Sequence, residues 1–251
     1  MELSRRLTAV AGMVSCGYRL ADIGTDHAYI PISLVGEGRI PSAIAMDVNR
    51  GPLLRAEANI REAGYEDKIM TRISDGFLAL KEGEADAAVI AGMGGGLTIR
   101  ILQEGAGVVR TLKECILQPQ SEIEKVRAFL LQEGFSFLAE DMVEEDGKYY
   151  PVIKTAPPGV CGGQDNSRTC GEKAEWTETE LRYGKLLLRG GNPVLRNYLE
   201  REIRIRAGII KELEKSGSGR SAQRIRELKD EMKCAEKGME YYAVQRDHAG
   251  D

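Results

Sequence analysis

From the start of the chain to about residue 155, short apolar runs alternate with amphipathic stretches. A strand covered on both faces is apolar throughout, and the helix that crosses over it is apolar on one side, so this alternation predicts a parallel sheet covered by helices. Residues 18–24 (YRLADIG) read as a first strand ending in a turn, and residues 28–36 as the helix that follows, with Pro31 tolerable only near its start. Residues 43–48 are a second strand, and residues 52–63 a helix with Pro52 in its first turn and Gly64 just past its end. A third strand, 69–73, leads to Ser74-Asp75-Gly76. A buried fourth strand, 86–91, runs into Gly92-Met93-Gly94-Gly95-Gly96, and a helix opens over 97–102. Residues 115–119 are a fifth strand, and 121–133 a helix with Ser121 as N-cap and Glu124 completing a capping box. Residues 135–143 and 148–154 flank a tight turn, so they predict a hairpin in which at least one strand runs antiparallel.

The pattern then changes. Residues 156–174 are rich in Pro, Gly and polar side chains and read as a surface loop. Beyond Gly190-Gly191-Asn192-Pro193 the apolar positions fall at helical spacing: Leu199, Ile203, Ile210 and Leu213, then Ile225, Leu228, Met232, Ala235, Met239 and Tyr242 three and four apart. Ser216-Gly217-Ser218-Gly219 is a natural turn between them, so an antiparallel pair of helices is expected. The chain thus reads as a doubly wound α/β domain over 1–155, a flexible loop over 156–175 and a helical extension over 176–251.

Charge sharpens the division. Residues 181–246 carry a net +7, so the remainder must carry −11 for the chain to total −4. An acidic body with a basic helical part points to a polyanionic partner, although a solvated basic helix face would give the same count. The five cysteines are odd in number and widely spaced, which argues against a disulfide framework or a zinc site. No apolar run approaches the ~20 residues of a membrane span, and the N-terminus lacks the apolar core of a signal peptide. A cytoplasmic monomer without metal is expected.

The chemistry concentrates at the strand ends. Asp22-Ile23-Gly24-Thr25-Asp26-His27 is a strand-to-helix turn whose glycine lets the backbone approach a ligand. It lacks the remaining glycines of a pyrophosphate cradle, and its carboxylates would repel phosphate. They suit a ligand bearing a cationic amine and a sulfonium, as S-adenosylmethionine does. Asp47, 25 residues after Asp22, is placed to accept both ribose hydroxyls, and Asp75 to meet the adenine amino group beside Gly76. Helix capping alone would also put acidic residues after strands. The loop from Gly92 to Gly96 ends a strand flanking the expected switch in strand order, so it should face the reacting atoms. No Asn/Asp-Pro-Pro-aromatic loop is present, and a site without one is compatible with a ring nitrogen as nucleophile.

These residues resemble a known family. The run from Leu20 to Tyr29 with Pro31 is similar to the first motif of the bacterial tRNA (adenine-22-N1)-methyltransferases. Val48-Asn49-Arg50-Gly51-Pro52, Ser74-Asp75-Gly76, Ala91-Gly92-Met93-Gly94-Gly95, Leu117-Gln118-Pro119-Gln120 and the stretch from Tyr183-Gly184 to Glu202 look like its later motifs, in order. The resemblance implies a class I methyltransferase domain, Rossmann-like, with a coiled-coil-like helical extension, and methyl transfer to N1 of an adenine in the tRNA D-arm. It implies a cofactor pocket lined by Asp22, Gly24, Asp26, His27, Asp47, Val48, Asn49, Asp75, Gly76 and Gly92, with Met93 and Gly94 beside the target base. Asp26, His27 and Met93 are the candidates for a part in the chemistry. Arg196, Arg201, Arg204, Arg224, Lys229 and Lys233 are the candidates for holding tRNA phosphates. Three alternatives stay open: another class I methyltransferase, an inactive cofactor- or RNA-binding module, and a nicotinamide-dependent dehydrogenase, which the missing glycine fingerprint disfavours.

Overall fold

The computed structural model describes residues 2–160, 175–216 and 221–248. The elements run α1 (Arg5–Met13), β1 (Leu20–Ile23), α2 (Tyr29–Gly36), β2 (Ala43–Asp47), α3 (Arg50–Ala63), β3 (Ile69–Ile73), β4 (Ala87–Met93), α4 (Gly95–Glu104), α5 (Ala106–Val109), β5 (Glu114–Pro119), α6 (Ile123–Gln132), β6 (Ser136–Glu145) and β7 (Lys148–Ala156), followed by α7 (Glu178–Tyr183), α8 (Lys185–Arg189), α9 (Pro193–Ser216) and α10 (Ser221–His248). They form two compact units, residues 1–174 and 175–251.

The first unit is built on one seven-stranded sheet of order β3-β2-β1-β4-β5-β7-β6. Strands β1 to β5 are parallel, and β7 runs antiparallel to both β5 and β6. The predicted hairpin therefore supplies the reversed strand. Strand order turns back between β1 and β4, and the carboxyl ends of the parallel strands share one edge there. Residues alternate between the sheet's two faces, and each face has its own apolar layer. Leu20, Ala45 and Val89 pack with Val10, Leu34 and Ile60. Ala21, Met46 and Ile90 pack with Ile101, Val126 and Leu130.

Several local features differ from the sequence reading, α1 and the start of α6 foremost. The first helix, α1, escapes it altogether: Ser4 caps it by accepting from the Leu7 N–H at 3.3 Å, and Val10 and Ala11 bury its inner face. The second is the start of α6. Ser121 does not cap this helix; its hydroxyl accepts from the Gly95 N–H at 3.3 Å, across to α4. Glu122 takes the N-cap position in a left-handed conformation, with φ of 50°, and no side chain caps the helix. Packing against Gly95, where a Cβ would meet the Ser121 carbonyl oxygen, overrides the local capping pattern.

In the second unit, Thr177 and Glu180 form a capping box at α7. Helices α9 and α10 lie antiparallel: Leu199 packs tightly on Gly238, 3.1 Å from where a Cβ would sit, Arg206 reaches Glu231 at 2.9 Å, and Lys229 reaches Glu214 at 3.3 Å. Leu195, Leu199 and Ile210 on α9, and Leu228, Cys234, Ala235 and Tyr242 on α10, are buried. The turn predicted over 216–219 and most of the 156–174 loop, with Cys161 and Cys170, lie outside the described residues. Among those that are described, no helix is long and apolar enough to cross a membrane. No group of three or more His, Cys, Asp or Glu among them could hold a metal ion.

Candidate active site

The turn after β1 is tied to β2 by its own backbone. The N–H groups of Gly24 and Thr25 both donate to the Met46 carbonyl, at 2.7 and 2.8 Å. Gly24 has φ of 74°, and a Cβ there would strike the Met93 side chain at the end of β4. Only glycine meets both conditions without strain. The turn continues through two left-handed residues that are not glycine, His27 (φ 70°) and Ala28 (φ 55°). Such a pair persists only where neighbours enforce it. The Asn59 amide donates to the His27 carbonyl at 2.9 Å, and the His27 ring stacks on Tyr29 with centroids 4.9 Å apart.

Asp22 is the electrostatic centre. It is buried, paired in register with Ala45 and Val89, and has no cationic partner among the described residues. Burial pushes its carboxyl up to about 6 from 3.8; the charge of Asp47 acts in the same direction, and the Thr25 hydroxyl opposes them. That hydroxyl is itself buried and makes no hydrogen bond of good geometry. A buried carboxylate without a counter-charge, next to an orphaned hydroxyl, fits a ligand that brings a cationic amine.

The other acidic positions differ from one another. One oxygen of Asp47 accepts from the Asn49 N–H at 2.6 Å. Val48 follows it with its side chain 57% exposed, an apolar surface beside a carboxylate. Asp75 pairs with Arg100 at 3.2 Å. Ser74 fixes the turn beside it, donating to the Gly76 carbonyl at 2.8 Å, and Gly76 has φ of 56° with Ile101 against it. Asp26 faces outward and pairs with Arg55 at 2.7 Å, with His27 Nε2 3.5 Å away.

Asp22, Gly24, Asp47 and Met93 are thus linked by backbone, packing or charge. Asp26 and Asp75 are held by arginines that the sequence reading missed. Arg55 and Arg100 lie 29 and 25 residues from their partners, so no short-range spacing marks them. Gly92 (φ 82°) sits at a register shift of β4 against β5. Arg6 and Gln120 approach it: a Cβ there would lie 3.7 Å from Arg6 Nη1 and 3.8 Å from Gln120 Nε2.

In the second unit, several of the basic candidates already have carboxylate partners. Arg196 pairs with Glu200, Arg224 with Glu227 and Glu231, and Lys229 with Glu214. Arg201 is exposed, as are Arg204 and Lys233, and the last two have no carboxylate partner among the described residues. Arg226, Lys229, Lys233 and Lys237 recur three and four apart on α10, all exposed, and so form one basic stripe. Arg226 and Lys237 join the stripe although the sequence reading does not name them.

Residues 3–153 match the methyltransferase-domain family. The Bacillus subtilis tRNA (adenine(22)-N(1))-methyltransferase is 39% identical over 153 residues, a match spanning 61% of this chain and 64% of that protein. The crystal structure of the B. subtilis m1A22 tRNA methyltransferase aligns over 95% of this chain and 99% of its own, with 30% identity and a TM-score of 0.76. A Streptococcus pneumoniae protein crystallised with S-adenosyl-L-methionine aligns over 95% of this chain and 100% of its own, with 32% identity and a TM-score of 0.79.

Proposed function

The chain belongs to the tRNA (adenine-22-N1)-methyltransferase family, and from that premise we propose that it transfers the methyl group of S-adenosylmethionine to N1 of adenine 22 in tRNA. The observation that carries this reading is Asp22, a buried carboxylate without a counter-charge at the switch point of the sheet.

In this reading Asp22 and Thr25 receive the cofactor's amine. Asp47 accepts the ribose hydroxyls, with one of its oxygens held by the Asn49 N–H. Val48 gives an apolar flank to the adenine ring. Asp75 beside Gly76 takes the adenine amino group, with Arg100 orienting the carboxylate. Bound S-adenosylmethionine supplies a methyl group made electrophilic by the sulfonium sulfur.

The target adenine leaves its stack to reach the site, because N1 is inaccessible within paired structure. It enters beside Met93 and Gly94. Its N1 lone pair lies in the ring plane, so no proton has to be removed first. The N1–CH3 bond forms as the S–CH3 bond breaks, and the electron pair of that bond goes to sulfur. The base thereby gains a positive charge. Catalysis then rests chiefly on alignment; Asp26, paired with Arg55, offsets the product's charge only where that pair opens. The helical unit holds tRNA phosphates through its basic residues.

Methyl incorporation into tRNA with adenine at position 22, against the same tRNA with guanine there, tests the reading. Transfer confined to the adenine form is expected, and equal incorporation would overturn it. Thermal shift should show stabilisation by S-adenosylmethionine and S-adenosylhomocysteine but not by NAD.

A further inference from the structure

Arg6 lies in the first turn of α1, where the helix dipole disfavours a cation. It is half-buried, and among the described residues no carboxylate pairs with it. Three other elements nevertheless fix its position. Its Nη1 donates at 3.0 Å to Oε1 of Gln118, a fully buried residue of β5 whose own Nε2 donates to the Pro119 carbonyl at 3.3 Å. Its guanidinium lies 5.7 Å from the centre of the Tyr150 ring on β7. Its tip borders Gly92 of β4, the residue before Met93, and Met93 in turn packs on the Gly24 turn. A guanidinium oriented by a buried amide, with donors to spare and no counter-ion, is built to meet an anion.

We propose that Arg6 binds a backbone phosphate of the nucleotide that enters the site, and that Gln118 is the residue that positions it. The proposal rests on the reading of the chain as a tRNA methyltransferase and adds a contact made by α1. The base itself is the poorer partner. A guanidinium only donates, so at N1 it would compete for the lone pair that must attack, and it would repel the cationic product. At the phosphate it neutralises charge and pins the extruded nucleotide beside Met93.

Arg6→Gln keeps length and packing but loses the charge, whereas Arg6→Lys keeps the charge and loses the fork. Steady-state methylation of tRNA by the wild type and both variants, over a series of KCl concentrations, separates the possibilities, with cofactor affinity measured alongside. Arg6→Gln should raise KM for tRNA about 10- to 100-fold. Its slope of log kcat/KM against log salt should be shallower by about 0.7–0.9, the share of one phosphate contact, with cofactor Kd changed by less than about twofold. Arg6→Lys should keep the wild-type slope. An unchanged slope in Arg6→Gln, equal losses in both variants, or a loss of cofactor rather than tRNA affinity would overturn the proposal. Wild-type protein inactive on adenine-22 tRNA would instead overturn the parent reading, and this proposal with it.

Discussion

The Met93 side chain occupies the space that a Cβ on Gly24 would need. The turn assigned to the cofactor and the loop assigned to the acceptor base are therefore interlocked. Gly24→Ala should cost about 1–2 kcal/mol for the left-handed backbone alone. It should also push the flexible tip of Met93 aside, so cofactor affinity and turnover should fall together. Adding Met93→Ala should relieve the collision but not the backbone strain. A double-mutant cycle on thermal stability checks this: favourable coupling is expected, and strict additivity would show that the two residues do not compete for space.

Asp22 predicts an opposition between stability and binding. Its folded pKa of about 6 lies above 3.8, so the native state holds the proton more tightly than the unfolded chain does. Its contribution to stability is fully present below about pH 4 and is lost as pH rises through 6. Asp22→Asn removes a buried charge, so at pH 8 the variant should be more stable than wild type, by up to ~3 kcal/mol. That advantage should vanish below about pH 4. The same change should weaken cofactor binding more than tenfold, and wild-type affinity should itself decline below about pH 6. Denaturant unfolding and calorimetry across pH read both effects. A variant less stable than wild type at pH 8 would contradict the account.

The strands and their order of use were legible in the sequence because buried parallel strands leave apolar runs that little else imitates. The acidic residues at their ends were legible for the same reason: a carboxylate such as Asp22 directly after Leu20-Ala21 breaks the run. What the sequence concealed is tertiary. Ser121 carries a capping signature, yet its hydroxyl serves Gly95 on another helix. Arg55 and Arg100 look like ordinary exposed helix charges until packing brings them to Asp26 and Asp75. Helix α1 has only a short apolar face to announce it. The division of the basic helix residues into paired and unpaired depends on which carboxylates face them across the helix pair.

His27 offers a way to separate strain from chemistry. Its φ of 70° is one that glycine adopts freely and alanine does not. Asn59 bonds its backbone carbonyl, so that contact survives any substitution. His27→Gly should remove the strain and the ring together, leaving stability within about 1 kcal/mol of wild type, whereas His27→Ala keeps the strain and loses the stacking on Tyr29. If the ring takes part in the reaction, kcat should fall equally in both variants. Turnover that tracks the stability difference instead would reduce His27 to a turn residue.

The pairing of the basic residues predicts unequal effects on tRNA binding. Arg196, Arg224 and Lys229 face Glu200, Glu227 and Glu214, so a phosphate must compete with a carboxylate for each. Such exposed pairs are individually weak, which lowers but does not abolish the contribution of these residues. Arg204 and Lys233 have no such competitor among the described residues, and Lys233 lies in the middle of the stripe from Arg226 to Lys237. Lys233→Glu and Arg204→Glu should therefore weaken tRNA binding more than Arg196→Glu does. Each neutralisation to Ala at those two positions should lower the salt slope of binding by about 0.7–0.9. Cofactor affinity should not change in any of these variants. Filter binding or fluorescence titration over a range of salt checks the ranking, and equal losses at paired and unpaired positions would mean that the ion pairs dissolve in the complex.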